Sequence, residues 1–241
     1  MLSGWRTATP STVGSVATTT LPIFPLDTVL FPGMRLSVHV IEPRLREMIH
    51  QLAETLDPSD RQLGVVAIRE GYQIGRRYGR RSAHRVGCEA LMTHAKNRPD
   101  DGGWDITLMG RRRMRVEELV SKSRTNAVAT VTYPPDIEGP AGPESVTVAL
   151  EAFEAYRNAV ADHGGTQVSI DELPTEPIAL SYALATATTL PLRERQVLLE
   201  APHAAARLQR LTLMLRVELA AIQAVASLPA TRLARTGWSP N

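Results

Sequence analysis

Residues Leu21 to Ile49 read LPIFPLDTVLFPGMRLSVHVIEPRLREMI, and the spacing inside this stretch decides how the rest of the chain is read. Pro22, Pro25 and Pro32 each remove a backbone donor and fix φ, so Leu21 to Leu26 is expected to be extended and edge-like, and Phe31-Pro32-Gly33 to form a tight turn. In Leu36 to Ile41, Leu36, Val38 and Val40 point one way while Ser37, His39 and Ile41 point the other, the period of a half-buried strand. The period then changes. Pro43 suits the first position of a helix, where its missing N–H is lost anyway, and Leu45, Met48, Ile49, Leu52 and Leu56 recur at helical spacing until Asp57-Pro58 stops the run.

Leu21-Pro22, Phe24-Pro25-Leu26, Phe31-Pro32-Gly33 and the run His39-Val40-Ile41-Glu42-Pro43-Arg44 together resemble the opening of the N-terminal substrate-binding domain of Lon proteases. Further matches follow in the same order: Leu63-Gly64-Val65-Val66, Val86-Gly87, Gly110 followed by Arg113, and Arg195-Gln196-Val197-Leu198-Leu199-Glu200 leading into a long Leu-rich helix. The resemblance spans Leu21 to Ile222. It implies an α+β fold, a PUA-like and mostly antiparallel β-barrel with one inserted helix, followed by an α-helical bundle subdomain. The family uses this unit to contact polypeptides, although a fold hosts many roles.

With 241 residues, 43% of them apolar, the chain can bury a substantial core. One cysteine, Cys88, excludes a disulfide framework and fits a reducing cytoplasm, the expected location. No apolar run reaches the roughly 18 residues of a membrane span, so no membrane partner is expected. Net charge is +2, yet residues 61–124 hold 15 Lys and Arg against 7 Asp and Glu. Lys96 and Lys122 are the only lysines, and the remaining cations are arginines, which offer planar bidentate donors. A GC-rich genome would produce the same skew with no functional meaning.

Along the chain, residues 1–19, rich in Ser, Thr, Ala and Gly and without an apolar core, read as a disordered tail. Residues 20–135 form the barrel subdomain. Within it Leu63 to Arg69 is a strand, and Gly71 to Gly75 turns into a basic loop carrying Arg76, Arg77, Arg80, Arg81 and Arg85. Val86 to Lys96 is a strand in which Gly87 marks a bulge or a close backbone approach. Asn97 to Gly103 is a turn, Trp104, Ile106 and Leu108 share one face, and Gly110 marks a bend. From Arg111 to Leu119, period two sets Met114 and Val116 on the core side and Arg111, Arg113 and Arg115 on the other. Ala127 to Thr132 is the last strand. Residues 136–143 read as a linker, residues 144–228 as the helical subdomain and residues 229–241 as a flexible tail. In the helical part, Val146, Leu150, Phe153 and Val160 share a stripe, and Thr175 is expected to cap a helix over Ile178 to Ala187. A short helix runs from Leu190-Pro191 to Ala201-Pro202. In the last helix Leu208, Leu211, Leu215, Leu219 and Ile222 form a stripe widened by Leu213, Met214 and Val217. Core packing is the preferred reading of that stripe, and a coiled-coil surface the alternative.

A Lon protease needs a G-x-x-x-x-G-K-[ST] phosphate loop and a catalytic Ser with a nearby Lys. The sequence supplies neither, so no catalytic residue and no cofactor are expected. His84, Cys88 and His94 match no zinc spacing and lack a fourth ligand, so no metal is expected either. Cys88 with His84 could form a nucleophilic pair, but its strand setting favours a buried structural thiol. His39, Glu42 and Arg44 lie inside the family motif and could line a binding groove together with Phe31 and Arg113. The plainer reading has Glu42 capping or charging a helix start, Arg44 pairing with a carboxylate or a loose carbonyl, and Phe31 and Met34 packing the turn.

Two functions compete. The leading one is a non-enzymatic, stand-alone module that recognises polypeptide clients, or serves as an adaptor to a partner protein, through a shallow apolar groove and backbone pairing along an unpaired strand edge. The rival is RNA binding by the loop Arg76 to Arg85 and the face of Arg111, Arg113 and Arg115, which could track phosphates.

Overall fold

The computed structural model describes residues 18–69, 82–122, 127–140, 143–162 and 173–226. Its fold is mixed α+β, a six-stranded sheet carrying one helix between its second and third strands and followed by four more helices. The strands are β1 (Thr18–Leu26), β2 (Arg35–Val40), β3 (Gln62–Ala67), β4 (Val86–Arg98), β5 (Gly103–Lys122) and β6 (Ala127–Thr132). The helices are α1 (Pro43–Ala53), α2 (Pro143–Asp162), α3 (Pro177–Thr186), α4 (Leu192–Leu199) and α5 (Ala204–Ala226). Among the described residues no helix is long and apolar enough to cross a membrane.

Pairing runs in the order β2, β5, β4, β3, β1, β6, and β6 pairs in turn with β5. All ladders are antiparallel except that of β1 with β3. β1 corrects the expectation of an edge. Its first half, Thr18 to Pro22, pairs with β6 and its second half, Ile23 to Leu26, with β3. Because each half carries a ladder on one side, a proline can turn its missing donor to the other side.

β5 carries the geometry of the sheet. Its ladder with β4 shifts register between Glu89 and Ala90, leaving Arg111 as an extra residue, and again between Met92 and His94, and its ladder with β6 shifts twice more, at Glu117 and Val120. Such bulges bend a strand and increase its twist, which lets one strand serve β2, β4 and β6 along its length. The bend expected at Gly110 is this first bulge. Gly110 has a second reason to be glycine: a Cβ there would overlap the carbonyl oxygen of Phe31. At Gly87 a Cβ would overlap the carbonyl oxygen of Val65, so of its two sequence readings the close backbone approach is the one observed.

Helix boundaries follow local chemistry. Glu42 caps α1, its carboxylate accepting from Leu45 N at 2.9 Å, and Pro43 opens the helix. The stripe expected to run to Leu56 stops earlier, because the chain leaves the helix after Ala53 and Leu56 is 99% exposed. At α3 the cap position is Glu176 and not Thr175, since Pro177 occupies the first turn. On α5, Leu208, Leu211 and Leu215 are buried, whereas Leu213 and Val217 are 62% and 68% exposed, so the inward stripe is narrower than its sequence suggests.

The helices do not stand apart from the sheet. Val29, Phe31 and Ala67 belong to the same buried cluster as Phe153, Tyr182, Leu184, Leu198 and Leu211. Phe31 has no exposed surface, and its ring centroid lies 6.2 Å from that of Tyr182. Burying one such aromatic side chain contributes about 1.5–3 kcal/mol. The segment after β6, expected as a linker, is fastened: Ala204 N and Ala205 N, in the first turn of α5, donate to the carbonyls of Ile137 and Glu138, each at 2.9 Å.

Candidate functional site

β2 is the terminal strand in the pairing order and lies against β5 alone. Its alternation is the one read from sequence: Leu36 and Val38 are half-buried, Val40 is buried, and Arg35, Ser37 and His39 are exposed. The ladder from Arg35 paired with Met109 to Val40 paired with Trp104 has no register shift. Outside that ladder, no backbone N–H or C=O of Arg35 to Val40 has a partner among the described residues.

His39 ties this strand to the turn between β4 and β5. Its Nδ1 lies 2.7 Å from Asp105 Oδ1 and its Nε2 lies 2.8 Å from Asp101 Oδ2. Carboxylates only accept, so both ring nitrogens have to donate, and the imidazolium is the form that satisfies both. The bond to Asp105, then the bond to Asp101, raises the His39 pKa above its ordinary value. Asp101 also accepts from Gly103 N at 2.8 Å, which holds its carboxyl below the usual range. From α1, Arg46 donates to the carbonyl of Gly102 at 2.8 Å. That turn is thus pinned from two sides.

The arginines read as one basic face have separate fates. Arg113 is buried. Its guanidinium donates to the carbonyls of Leu199, Ala201 and Pro135 and lies 3.0 Å from Asp136 Oδ1. It cannot track phosphates, because the surface opposite Met114 is covered at this point by the helical region. Arg85 and Arg115 converge on Glu117, at 3.6 Å and 3.7 Å, and Arg85 also donates to the carbonyls of Val116 and Glu117. Arg111 is exposed and makes no ion pair among the described residues. Arg76, Arg77, Arg80 and Arg81 lie outside the described residues.

Sequence reasoning did not single out Arg112 or Arg207, and it named Arg195 only within the family resemblance. Arg112 stacks on Tyr133, 3.4 Å from the ring centroid, and pairs with the buried carboxylate of Glu89 at 3.1 Å. Tyr133 donates its hydroxyl to the same carboxylate, and burial together with that bond pushes the phenol up to about 12. Arg207 is fully buried; it donates to Leu198 O, Ser181 Oγ and Tyr182 Oη and lies 3.6 Å from Asp136 Oδ1. Arg195 reaches from α4 to the carbonyl of Val29 at 3.1 Å and stands over the Phe31 ring. One signal was available for Arg207, which sits four residues before Leu211 on the inward stripe of α5.

The other candidates have different settings. Phe31, carried as a binding residue, is core. Glu42 is a cap, and Arg44 is exposed with no ion pair among the described residues, while its neighbour Arg46 is the one that donates to a carbonyl, that of Gly102. Cys88 is sealed in the sheet core, and burial pushes its thiol up, away from the thiolate a nucleophile requires. Burial holds His84 below its ordinary value against the pull of Glu200 at 3.5 Å, and His94 is exposed on its strand. Among the described residues no group of three His, Cys, Asp or Glu side chains could hold a metal ion. Where the sheet meets the helices, Val29, Phe31 and Tyr182 belong to one buried cluster.

The family model described as the ATP-dependent protease La (LON) substrate-binding domain matches residues 20–217. Two solved structures share the fold. The Lon N-terminal domain protein from Xanthomonas campestris is 24% identical, covers 80% of this chain and 96% of its own, and superposes with a TM-score of 0.57. The N-terminal domain of the Mycobacterium avium complex Lon protease is 19% identical, covers 82% of this chain and 98% of its own, and superposes with a TM-score of 0.60. No curated protein matches the chain.

Proposed function

Because the chain belongs to the LON substrate-binding domain family, we propose that it recognises polypeptide segments, as a non-enzymatic binding module or adaptor in protein quality control in the cytoplasm. The family match over residues 20–217 carries this reading. The circuit of pairings from β5 through β4, β3, β1 and β6 back to β5 supports a PUA-like barrel as its frame. The missing phosphate loop and Ser/Lys pair support the non-enzymatic part. A polypeptide would meet sheet and helices as one surface, since the two share a buried cluster and the segment after β6 is tied to α5 by backbone hydrogen bonds.

RNA binding by the arginine face has less to stand on. Arg113 is inside, and Arg85 and Arg115 are already engaged with Glu117. A direct test measures binding of a denatured model protein and of single-stranded RNA, at low and moderate salt, to the wild type and to a variant with Arg76, Arg77, Arg80 and Arg81 changed to Ser. Each phosphate contact to a single strand costs about 0.7 log units of affinity per tenfold rise in salt, whereas peptide capture on a partly apolar edge depends on salt only weakly. The expected result is weakly salt-dependent polypeptide binding that survives the quadruple change. Submicromolar RNA binding near physiological salt, abolished in the variant, with no polypeptide binding by either protein, would replace this reading with the rival.

A further inference from the structure

We propose that the outer edge of β2, at Arg35, Ser37 and His39, takes hold of the polypeptide as an added strand, and that it selects segments with apolar residues at alternate positions and a carboxylate opposite Arg35. This rests on the polypeptide-binding reading above, and gives it a site and a partner chemistry.

The phase of the ladder identifies the free groups. Met34 O accepts from Gly110 N at 2.9 Å. Backbone groups of an antiparallel strand alternate in direction, so Leu36 and Val38 aim at β5 in the same way, while the N–H and C=O of Arg35, Ser37 and His39 point away from it. These three residues are exposed, and none of those outward groups has a partner among the described residues. Their spacing is that of every second residue of a strand, about 6.8 Å, and another extended backbone presents donors and acceptors at that repeat.

Proteins usually blunt such an edge with a bulge, a proline or a charge. The ladders of β5 with β4 and with β6 contain bulges, but its ladder with β2 contains none, and Arg35 to Val40 contains no proline. Of the two basic side chains on this edge, His39 is saturated by Asp101 and Asp105, whereas Arg35 makes no ion pair among the described residues. Arg35 is therefore the available charge, and it calls for an acid. On the opposite face of the strand, half-buried Leu36 and Val38 pack, as Leu45 and Leu52 of α1 do, against one buried cluster. An incoming strand would cover that apolar row with every second side chain.

The test uses the full chain and three probes: a denatured model protein, a ten-residue peptide alternating valine with aspartate or threonine, and the same peptide with lysine for aspartate. Hydrogen exchange at the amides of Arg35, Ser37 and His39 is read with and without the aspartate peptide, and affinities are measured for wild type, Ser37→Pro and Arg35→Glu. Ser37→Pro removes an outward donor while leaving the β5 ladder intact, and circular dichroism verifies its fold. The expected result is slowed exchange at these amides, at least tenfold weaker binding to Ser37→Pro, and a reversal in Arg35→Glu, which prefers the lysine peptide. If the wild type binds the denatured protein while these amides exchange unchanged and both variants bind as the wild type does, this inference fails and the polypeptide-binding reading stands. Absence of any polypeptide binding removes both. A wild-type dimer that Ser37→Pro dissolves, with no peptide protection, assigns the edge to a second copy and overturns the proposal.

Discussion

Arg113 Nη2 stands 3.0 Å from Asp136 Oδ1, and the same carboxylate oxygen lies 3.6 Å from Arg207 Nη2. One acid thus answers two arginines that are 5% and 0% exposed in their side chains, one from the sheet and one from the last helix. Burial depresses the Arg207 pKa, and Tyr182, stacked under its guanidinium at 3.7 Å, donates to the Asp136 carboxylate as well.

Changing Asp136 to Asn should therefore cost more than a surface substitution. Breaking one partner out of a buried ion pair typically costs 3–5 kcal/mol, and because Asp136 keeps some water access the expected loss is about 3 kcal/mol. Urea denaturation measures it, and a loss under about 0.5 kcal/mol, the range of ordinary surface changes, would show that the carbonyl acceptors alone suffice.

His39 makes a pH-dependent contribution to stability. Its folded pKa is raised above 6.5, so the folded state holds the proton more tightly than the unfolded one. The stabilisation is fully present below pH 6.5 and is lost as pH rises through the folded value. Thermal denaturation of wild type and His39→Gln from pH 5 to 9 should show a gap that closes on the alkaline side. A gap that is constant, or that widens with pH, contradicts the two-carboxylate clamp.

Gly110→Ala and Gly33→Ala separate close approach from conformational need. At Gly110 the new methyl meets the fixed carbonyl of Phe31, and overpacking of this kind costs typically about 1–3 kcal/mol. Gly33 has φ +80° but nothing within 4 Å of a Cβ, so only the left-handed backbone penalty of about 1 kcal/mol applies. Denaturation midpoints should rank Gly110→Ala as the less stable protein. The reverse order would show that the strand yields at its bulge.

Cys88 should be silent towards a thiol reagent in the native protein and react fully once the chain is unfolded, since burial both shields it and raises its pKa. Rapid reaction of the native thiol at neutral pH would revive the pairing of Cys88 with His84 as a nucleophilic site.

Local pattern was legible in the sequence where the partner is near in the chain. The alternation of β2, the limits of β6 at Ala127 and Thr132, and the role of Pro43 were read from a few neighbouring residues. Arg113 shows what could not be read. Period two placed it correctly on the face opposite Met114, but whether that face meets water depends on Leu199 and Ala201, which lie 86 and 88 residues away. The same reason hid the fastening of Ile137 and Glu138 to α5. The openness of the β2 edge was equally invisible, because it follows from which strands flank β5.

The closure of the sheet also sets an order of events during synthesis. The nascent chain presents β1 to the ribosome's surroundings first, yet the partner of its opening residues, Val128 to Thr132, follows more than a hundred residues later. At translation speeds of roughly 5–20 residues per second, β1 waits several seconds or more for that partner, with Leu21 still lacking its neighbours Ala129 and Val131. Arg113 waits almost as long, 88 residues, for the carbonyl of Ala201. A sheet of this topology thus stays open throughout most of its own synthesis, and the last short strand to appear, β6, is the one that completes it.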